Sequence, residues 1–279
     1  TSLGANSPAA SDFGIASQSI EGLNTADFGW GTASAATITI SFWVRSSITG
    51  TQSIALVNLA GNRSYSQTYT INSANTWEQK TITIPGDTTG TWLTDNTNGI
   101  MLRFALGTGS SNLTSAGAWN ASNSNGATGT VAISATNGAT FYLTGVQLEK
   151  GSTATDFEYV DYSRQLQQCQ RYYEKSFEID TPPTNGSSTT SFFTAAGLFF
   201  TTASNNNTWR SSHRFTVPKR ASPVMTTYGN SQGYWNSYVT GWAANNRSIT
   251  PDSTGFRPRQ QSSGSVIDVH GHWTADAEL

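Results

Sequence analysis

The stretch "TITISFWVRSS", residues 37–47, decides the fold. Its residues alternate in character, with Ile38, Ile40, Phe42 and Val44 on one face and Thr39, Ser41, Trp43 and Arg45 on the other. Alternation with a period of two is typical of a β-strand that buries one face. Trp43 and Arg45 therefore lie opposite the strand's own core, and we expect them to meet either a ligand or another protein surface.

The composition favours a β protein with polar but weakly charged surfaces. Only 11% of the 279 residues are Asp, Glu, Lys or Arg, against about a quarter in an average domain. Thr, Ser, Asn and Gly replace them, and these residues suit strands and turns. The net charge of −2 argues against nucleic-acid binding. No apolar run approaches the roughly 20 residues of a membrane span, so we expect no membrane insertion. The single cysteine, Cys169, excludes an internal disulfide.

The first 160 residues contain several short strands separated by Gly, Asn and Ser. Besides the opening stretch, the clearest are "SYSQTYTIN" (64–72), "WEQKTITIPG" (77–86), "GIMLRFALG" (99–107), "GTVAISA" (129–135) and "ATFYLTGVQLE" (139–149). Many short strands with turn residues between them, and no helical period, indicate a two-sheet sandwich. The predicted fold class is all-β: a jelly-roll β-sandwich, then a short helix and a second, smaller β domain.

The strand pattern breaks at "DYSRQLQQCQRYYEKSF", residues 161–177. Tyr162, Leu166, Cys169 and Tyr173 recur at helical spacing. The predicted domains are therefore a sandwich at 1–160, a helical connector at 161–177 and a β domain at 178–279. The helix stripe has two readings: it packs down onto a sandwich, or it meets its own copies around a threefold axis with Cys169 buried and reduced.

Three stretches carry a family resemblance. "NTWEQKTITIPGDTTGTWLTDNTNGIMLRFALGTG" (75–109) and "NGATFYLTGVQLEKGSTATDFEYVDYSRQLQQCQRYYEKS" (137–176) resemble a module of bacteriophage and prophage tail-fibre proteins. "HWTADAEL" (272–279) resembles the carboxyl end of such proteins. The first module is also similar, more distantly, to jelly-roll carbohydrate-binding modules.

The resemblance implies a trimeric virion protein at or near the receptor-binding end of a tail fibre. It would be made in the host cytoplasm and function in the virion. Its partners would be host-surface polysaccharide or lipopolysaccharide and other virion tail proteins, and its function would be adsorption without catalysis. Two alternatives stay open: a purely structural fibre or collar module whose aromatic faces are buried in a trimer, and a polysaccharide depolymerase.

Alternation along the predicted strands gives a candidate carbohydrate-binding face. The side chains that leave the core face and suit a sugar are Trp43, Arg45, Trp77, Arg103 and Tyr142. If their strands share one sheet, rings that stack on sugar faces lie beside guanidinium groups that bind hydroxyls or carboxylates. The alternative is that loops, the amino-terminal segment or a neighbouring subunit cover this face.

Aromatic residues in loops extend the candidate set. Trp92 and Trp119 lie in predicted loops of the first region, where a tryptophan either recognises a ligand or closes an end of the sandwich. In the second region "YGNSQGYWNSYVTGW" concentrates Tyr234, Trp235, Tyr238 and Trp242. Such a composition is typical of recognition loops, and a trimer interface would be equally aromatic.

The polar residues favour binding over catalysis. Glycoside hydrolysis needs two carboxylates flanking one bond, and the acidic residues here are scattered and mostly lie beside turns. His270 and His272 share a strand face, but surface histidines are the more common reading. No cofactor is required. Glu21, Asp27 and Glu149 are candidate ligands of a structural calcium, which jelly-roll modules often hold through carboxylates.

Overall fold

The computed structural model describes residues 5–185, 198–201, 208–210, 212–228, 236–238, 247–261 and 268–279. The backbone divides into two compact units, one that ends at Tyr159 and one that runs from Val160 to Glu278. This division does not test the boundaries 1–160, 161–177 and 178–279, which stay a prediction.

The first unit is built from short strands that follow one another along the chain. They are β1 (Phe13–Glu21), β2 (Ile38–Ser46), β3 (Gly50–Val57), β4 (Ser64–Ile71), β5 (Glu78–Ile84), β6 (Asn98–Thr108), β7 (Leu113–Thr114), β8 (Trp119–Asn120), β9 (Gly126–Ala127) and β10 (Phe141–Lys150). Short 3-10 turns lie at Gly22–Asn24, Ala26–Phe28, Ser110–Asn112 and Ile133–Ala135.

These strands form two antiparallel sheets, and the chain crosses repeatedly between them. The larger sheet has the order β1-β6-β3-β4-β8, and the smaller has the order β10-β2-β5. A parallel pair, β7 with β9, completes the unit. Because β1, β3, β4 and β6 lie in one sheet while β2, β5 and β10 lie in the other, both apolar faces can close on a shared core.

The core follows from the alternation along each strand. The apolar residues of β2 are all fully buried, namely Ile38, Ile40, Phe42 and Val44. The ring centroid of Phe42 lies 5.1 Å from those of Tyr69 and Phe104, both of which belong to the opposite sheet. The structure therefore confirms the all-β sandwich, followed by a single short helix and a second β region.

The second unit begins with the helix and continues in strands. Helix α1 spans Tyr162–Gln170, and the Asp161 carboxylate caps it by accepting the backbone N–H groups of Ser163 and Arg164. The strands are β11 (Tyr173–Lys175), β12 (Leu198–Thr201), β13 (Thr208–Arg210), β14 (His213–Arg214), β15 (Val224–Tyr228), β16 (Asn236–Tyr238), β17 (Arg247–Pro251), β18 (Gly255–Gln261) and β19 (Asp268–Asp276).

Two long strands organise this unit. In one sheet β19 is central: β11 and β15 pair with its second half, and β12 and β16 pair with its first half. In the other sheet β18 pairs with β13, β14 and β17. Phe215, Phe256 and Trp273 pack together in the core, with ring centroids 5.1–5.8 Å apart.

Two local predictions were wrong. The helix ends at Gln170 rather than running to residue 177, because residues 173–175 pair with β19, almost a hundred residues further along the chain. Residues 129–135 contain a 3-10 turn in place of the predicted strand.

The stripe of α1 is not buried among the described residues. No residue of α1 is buried, Leu166 is half-buried, and Cys169 is an exposed free thiol. The two readings of the stripe, packing onto a sandwich or meeting its own copies, both stay predictions. None of the helices in the described ranges is long and apolar enough to span a membrane.

Candidate functional site

The outer face of the smaller sheet carries its side chains in rows across three strands. Trp43 on the central strand, β2, pairs with Gln79 of β5 and with Thr144 of β10. The next row holds Arg45, which pairs with Tyr142. Trp77 directly precedes Glu78, the residue that pairs with Val44, so Trp77 lies on the other side of Arg45.

Aromatic rings flank the guanidinium in that row. The ring centroids of Trp77 and Tyr142 are 6.4 Å apart, and their planes are inclined by 56°. The guanidinium carbon of Arg45 lies 5.2 Å from the Tyr142 centroid, within the range of a cation–π contact. Trp43, Trp77 and Tyr142 are each 41% exposed. We call the set of four residues formed by this row, Arg45, Trp77 and Tyr142, together with Trp43 of the adjacent row, the open row.

Arg45 has no polar partner among the residues that the structure describes. Within the described residues it makes no hydrogen bond and no ion pair. Its Nε is buried and unpartnered. A guanidinium offers five N–H donors in a planar fork, so the open row contains unused donors between two rings.

The turn that carries Trp77 is held by a carboxylate. Glu78 accepts hydrogen bonds from the backbone N–H groups of Asn72 and Ser73 and from the Asn72 side chain, at 2.8–2.9 Å. Lys80 donates to the same carboxylate at 2.6 Å. The bond from Lys80 and those from Ser73 and Asn72 lower the pKa of Glu78 to about 2. Glu78 is therefore anionic over the ordinary pH range, and it holds the turn at residues 72–73 that leads into Trp77.

The other half of this face is covered by residues 151–158. The Thr39 hydroxyl donates to the carbonyl of Gly151 at 2.8 Å, and the N–H of Glu158 donates to the Gln147 side chain at 2.8 Å. Thr39 and Ser41 are consequently buried. The same face is closed by its own chain at one end and open at the other, where Trp43 and Arg45 lie.

A bulge in β10 marks the border between the two halves. The register with β2 shifts between Thr144 and Gln147, and Gly145 has a φ of 59°, in the left-handed region. A Cβ at Gly145 would lie 3.4 Å from Trp43 Cδ1 and 3.8 Å from Phe157 Cδ2. Phe157, which is 59% exposed, therefore extends the aromatic surface. Sequence reasoning missed it, although the glycine inside an alternating strand was a signal for a bulge.

Arg103 does not belong to the open row, so its predicted position was wrong. It lies on β6, in the larger sheet, opposite Ser17 of β1. Its Nη1 donates to the side chains of Asn123 and Asn125 at 2.6 and 2.7 Å and to the Ser124 carbonyl at 3.1 Å. Burial lowers the pKa of the guanidinium. Arg103 attaches a loop to the outer face of the larger sheet.

Trp92 and Trp119 were candidates either for recognising a ligand or for closing an end of the sandwich, and the structure places both in an aromatic cluster. Both contact Trp30, with ring centroids 4.8 and 5.1 Å from it. Trp92 is 9% exposed. The indole N–H of Trp119 donates to the Pro85 carbonyl at 2.9 Å. These tryptophans close one end of the sandwich.

A buried ion pair fixes this cluster. Arg63 donates to both oxygens of Asp87, at 2.6 and 2.7 Å, and the Trp92 indole N–H donates to Asp87 at 3.0 Å. Burial alone would raise the pKa of Asp87, but the bonds from Arg63 and Trp92 outweigh it, and the pKa is lowered. This ion pair stabilises the fold and is not a ligand site, because the Arg63 N–H groups and the Trp92 indole N–H already donate to Asp87.

The second-region candidates fall mostly beyond the described ranges. Tyr238 ends β16, whereas Tyr234, Trp235 and Trp242 lie outside the described residues. The second unit also contains a contact between a serine and a histidine, from the Ser176 hydroxyl to Nδ1 of His272 at 3.0 Å. His272 is 2% exposed and stacks on Phe177, so this pair is part of the core.

The three predicted calcium ligands do not form one group. Glu21 is buried at the end of β1. Asp27 pairs with Lys150 at 3.5 Å. Glu149 accepts hydrogen bonds from Thr155, and bonds from Gln147 and Thr155 lower the pKa of its carboxyl. Among the residues that the structure describes, no three His, Cys, Asp or Glu side chains converge as a metal site would require. A calcium site from these three residues therefore has no support in the described geometry.

A groove of about 400 Å³ opens at the edge of the sandwich between β1 and β10. Its lining is mainly apolar, with polar side chains only from Ser17 and Gln18. Sugar sites need several convergent hydrogen-bonding groups. The open row supplies rings and donors together, so it is the stronger candidate for a polar ligand.

Comparisons with known proteins add little. No family model and no curated protein matches this chain. Among solved structures it is similar to recombinant discoidin II of Dictyostelium discoideum, with 10% identity and a TM-score of 0.23, over 88% of this chain and 73% of that one. A likeness at that TM-score carries no argument, so the fold described here rests on the strand pairing itself.

Proposed function

We propose that this protein is a phage tail-fibre protein that binds host-surface glycans without catalysing a reaction on them. One observation carries the glycan part: Trp43, Trp77 and Tyr142 are exposed near the Arg45 guanidinium, which has no hydrogen-bond or ion-pair partner in the described part of the chain. The tail-fibre part rests on the resemblance of residues 75–109 and 137–176.

The chemistry of the open row suits a sugar. A sugar has C–H faces that pack on flat rings and hydroxyls that need hydrogen-bond partners. Trp77 and Tyr142 offer the rings, and Arg45 offers the donors. Gln79 and Thr144, which flank Trp43 in the neighbouring row, add groups that both donate and accept.

The open row also argues for binding rather than hydrolysis. A glycosidase places two carboxylates on either side of the bond that it cleaves. The side chains that alternation aims at the open half of the three described strands are aromatic, amide, hydroxyl or guanidinium. The carboxylate nearest along the chain, Glu78, holds the turn before Trp77 and is occupied by Lys80.

We further propose a homotrimer that works in the virion with other tail proteins and binds host polysaccharide or lipopolysaccharide. The stripe of α1, with Leu166 half-buried and Cys169 exposed among the described residues, supports symmetric association because it leaves apolar surface for a second copy. Three weak sites on one fibre would bind a repeating polysaccharide with high avidity.

The test is a titration of host-surface glycans monitored by intrinsic tryptophan fluorescence, with the molar mass measured in parallel. Trp43→Ala should abolish a saturable signal while the fold and mass stay those of the parent protein. Phe13→Ala is the matched control, because Phe13 is also exposed, at 57%, but lies on the larger sheet. It should bind normally.

The structural alternative predicts a different result. If the aromatic face is a subunit contact, no glycan produces a signal and Trp43→Ala lowers the molar mass by dissociating the assembly. That pair of results would overturn glycan recognition at this face. Loss of polysaccharide viscosity during incubation would instead indicate a depolymerase.

A further inference from the structure

We infer that the open row selects an acidic sugar, with Arg45 binding the carboxylate of a uronic-acid-type residue. This inference rests on the proposed function, because it names the class of glycan that the same face would bind. It makes a separate claim, however, since a face of rings and hydroxyls could equally bind neutral sugars.

The first support is a comparison of all basic side chains in the first unit. Residues 5–159 contain five: Arg45, Arg63, Lys80, Arg103 and Lys150. Four of them have partners in the chain. Arg63 pairs with Asp87, Lys80 with Glu78 and Lys150 with Asp27, and Arg103 donates to Asn123 and Asn125. Within this described unit, Arg45 stands apart because its guanidinium has no acceptor.

The second support is the depth of that guanidinium. Arg45 Nε is buried without a hydrogen-bond partner, as is Arg103 Nε. The two residues differ at their other nitrogens, because Arg103 Nη1 has acceptors in Asn123 and Asn125 whereas Arg45 makes no hydrogen bond within the described residues. Tyr142 packs against the Arg45 guanidinium at 5.2 Å, and the Trp77 ring centroid lies 6.4 Å from that of Tyr142. An acceptor that meets the guanidinium beside these rings would do so in surroundings where the charge is less screened than in open water.

The third support is the shape of the donor. A guanidinium presents parallel N–H groups that match the two oxygens of a carboxylate, and such charge-assisted pairs are stronger than bonds to hydroxyls. A uronic acid carries this carboxylate directly on the sugar ring. Its ring can therefore pack on Trp77 or Tyr142 while the carboxylate meets Arg45.

Acidic side chains of the protein do not compete for this position. Glu78 faces the other side of β5 and is bound by Lys80 and the 72–73 backbone. Asp156 and Glu158 belong to the covering segment, which contacts Gln147. Phe157, between these two residues in the chain, lies near Trp43, but neither carboxylate pairs with Arg45 within the described residues.

The experiment compares uronate-containing bacterial polysaccharide fragments with the same fragments after their carboxyls have been reduced to hydroxymethyl groups. Affinities are measured by calorimetry on the full chain. We expect the parent protein to bind the acidic form about tenfold or more tightly than the reduced form. Added salt should weaken the acidic form more than the reduced form.

Three variants locate the effect. Arg45→Met should reduce the preference to less than about twofold, and Arg45→Lys should leave an intermediate preference because a point charge replaces the fork. Lys150→Met removes an equal charge from the edge of the same sheet, where Lys150 pairs with Asp27, and should keep the full preference. Unfolding curves of each variant confirm that the fold is intact.

The outcomes separate the two proposals. Equal binding of acidic and reduced fragments overturns the role of Arg45 but leaves glycan recognition standing. A preference that survives in Arg45→Met also overturns it. Absence of binding to every fragment, in either form, overturns the proposed function and this inference together. Sulfated and phosphorylated fragments form a further arm: tighter binding to these than to the uronates would replace the carboxylate by another oxyanion.

Discussion

Each outer face of the sandwich carries one arginine on a central strand, and the two arginines differ in their hydrogen-bond partners. On the larger sheet Arg103 lies under a loop, and its Nη1 donates to Asn123, Ser124 and Asn125, although its Nε has no hydrogen-bond partner. On the smaller sheet Arg45 packs against the Tyr142 ring, and none of its nitrogens has an acceptor within the described residues. Both residues occupy central strands and both point away from the core.

This difference in hydrogen bonding distinguishes a residue that stabilises the fold, Arg103, from a residue that is available to a ligand, Arg45. A buried polar group that is fully paired stabilises the fold and has nothing left to offer a ligand. A polar group that is half-buried and unpaired costs free energy in the free protein, and a ligand can recover that cost. The chain covers the larger sheet around Arg103, whereas the smaller sheet stays open around Arg45.

The largest expected effect is on the free energy of unfolding, and it distinguishes a tryptophan of the aromatic cluster, Trp92, from one of the open row, Trp43. Trp92→Ala should lower the free energy of unfolding by about 3–5 kcal/mol, because it leaves a cavity in the aromatic cluster and removes a donor to Asp87. Trp43→Ala should lower it by only about 1 kcal/mol, because Trp43 is 41% exposed. Urea unfolding followed by circular dichroism measures both. Equal losses would contradict the distinction between closed and open surfaces.

The next effect compares the two arginines. Arg103→Met should cost about 2–3 kcal/mol, since the buried acceptors of Ser124 and Asn125, and the exposed one of Asn123, lose their donor. Arg45→Met should change the stability by about 0.5 kcal/mol or less, because no bond is broken. The same unfolding assay applies. A loss at Arg45 as large as that at Arg103 would show that Arg45 is part of the scaffold.

A smaller effect tests the bulge at the border of the open half. Gly145→Ala should destabilise the protein by about 1 kcal/mol, because an L-residue is strained at a φ of 59°. The added Cβ would also lie 3.4 Å from Trp43. We therefore expect a shift in the Trp43 indole resonance together with the lower stability. If Gly145→Ala changes neither the free energy of unfolding nor the position of the Trp43 indole resonance, the bulge does not position Trp43.

The smallest effect concerns pH and the turn that carries Trp77. The folded pKa of Glu78, about 2, is below the model-peptide value of 4.5. Its contribution to stability is therefore complete above pH 4.5, declines as the pH falls towards 2 and is absent below that. The stability difference between the parent protein and Glu78→Gln should shrink over this interval. A constant difference from pH 6 to pH 2 would contradict the assigned pKa.

The sequence predicted the faces of individual strands well. In residues 37–47 alternation separated the buried Ile38, Ile40, Phe42 and Val44 from Trp43 and Arg45. The same rule placed Trp77 and Tyr142 on the outer side. These successes share one cause: the direction of a side chain within a strand depends only on local backbone geometry.

Sequence reasoning failed where a feature depends on distant parts of the chain. Alternation shows which way Arg103 points but not which sheet β6 joins, and β6 joins the larger one. The loop position of Trp92 left two readings open, and only its contacts with the distant residues Asp87 and Trp30 decide between them. Phe157 reaches the open half because the chain folds back over β10, which no local pattern reports.

The indole ¹⁵N spectrum of the protein during a glycan titration shows directly which surface the glycan binds. Trp43→Phe and Trp77→Phe assign the resonances of the two exposed tryptophans, and Trp92→Phe assigns one from the aromatic cluster. We expect saturable shifts at Trp43 and Trp77 and none at Trp92. Glycan-dependent shifts confined to other tryptophans would contradict it, because they would place the binding surface away from the open row.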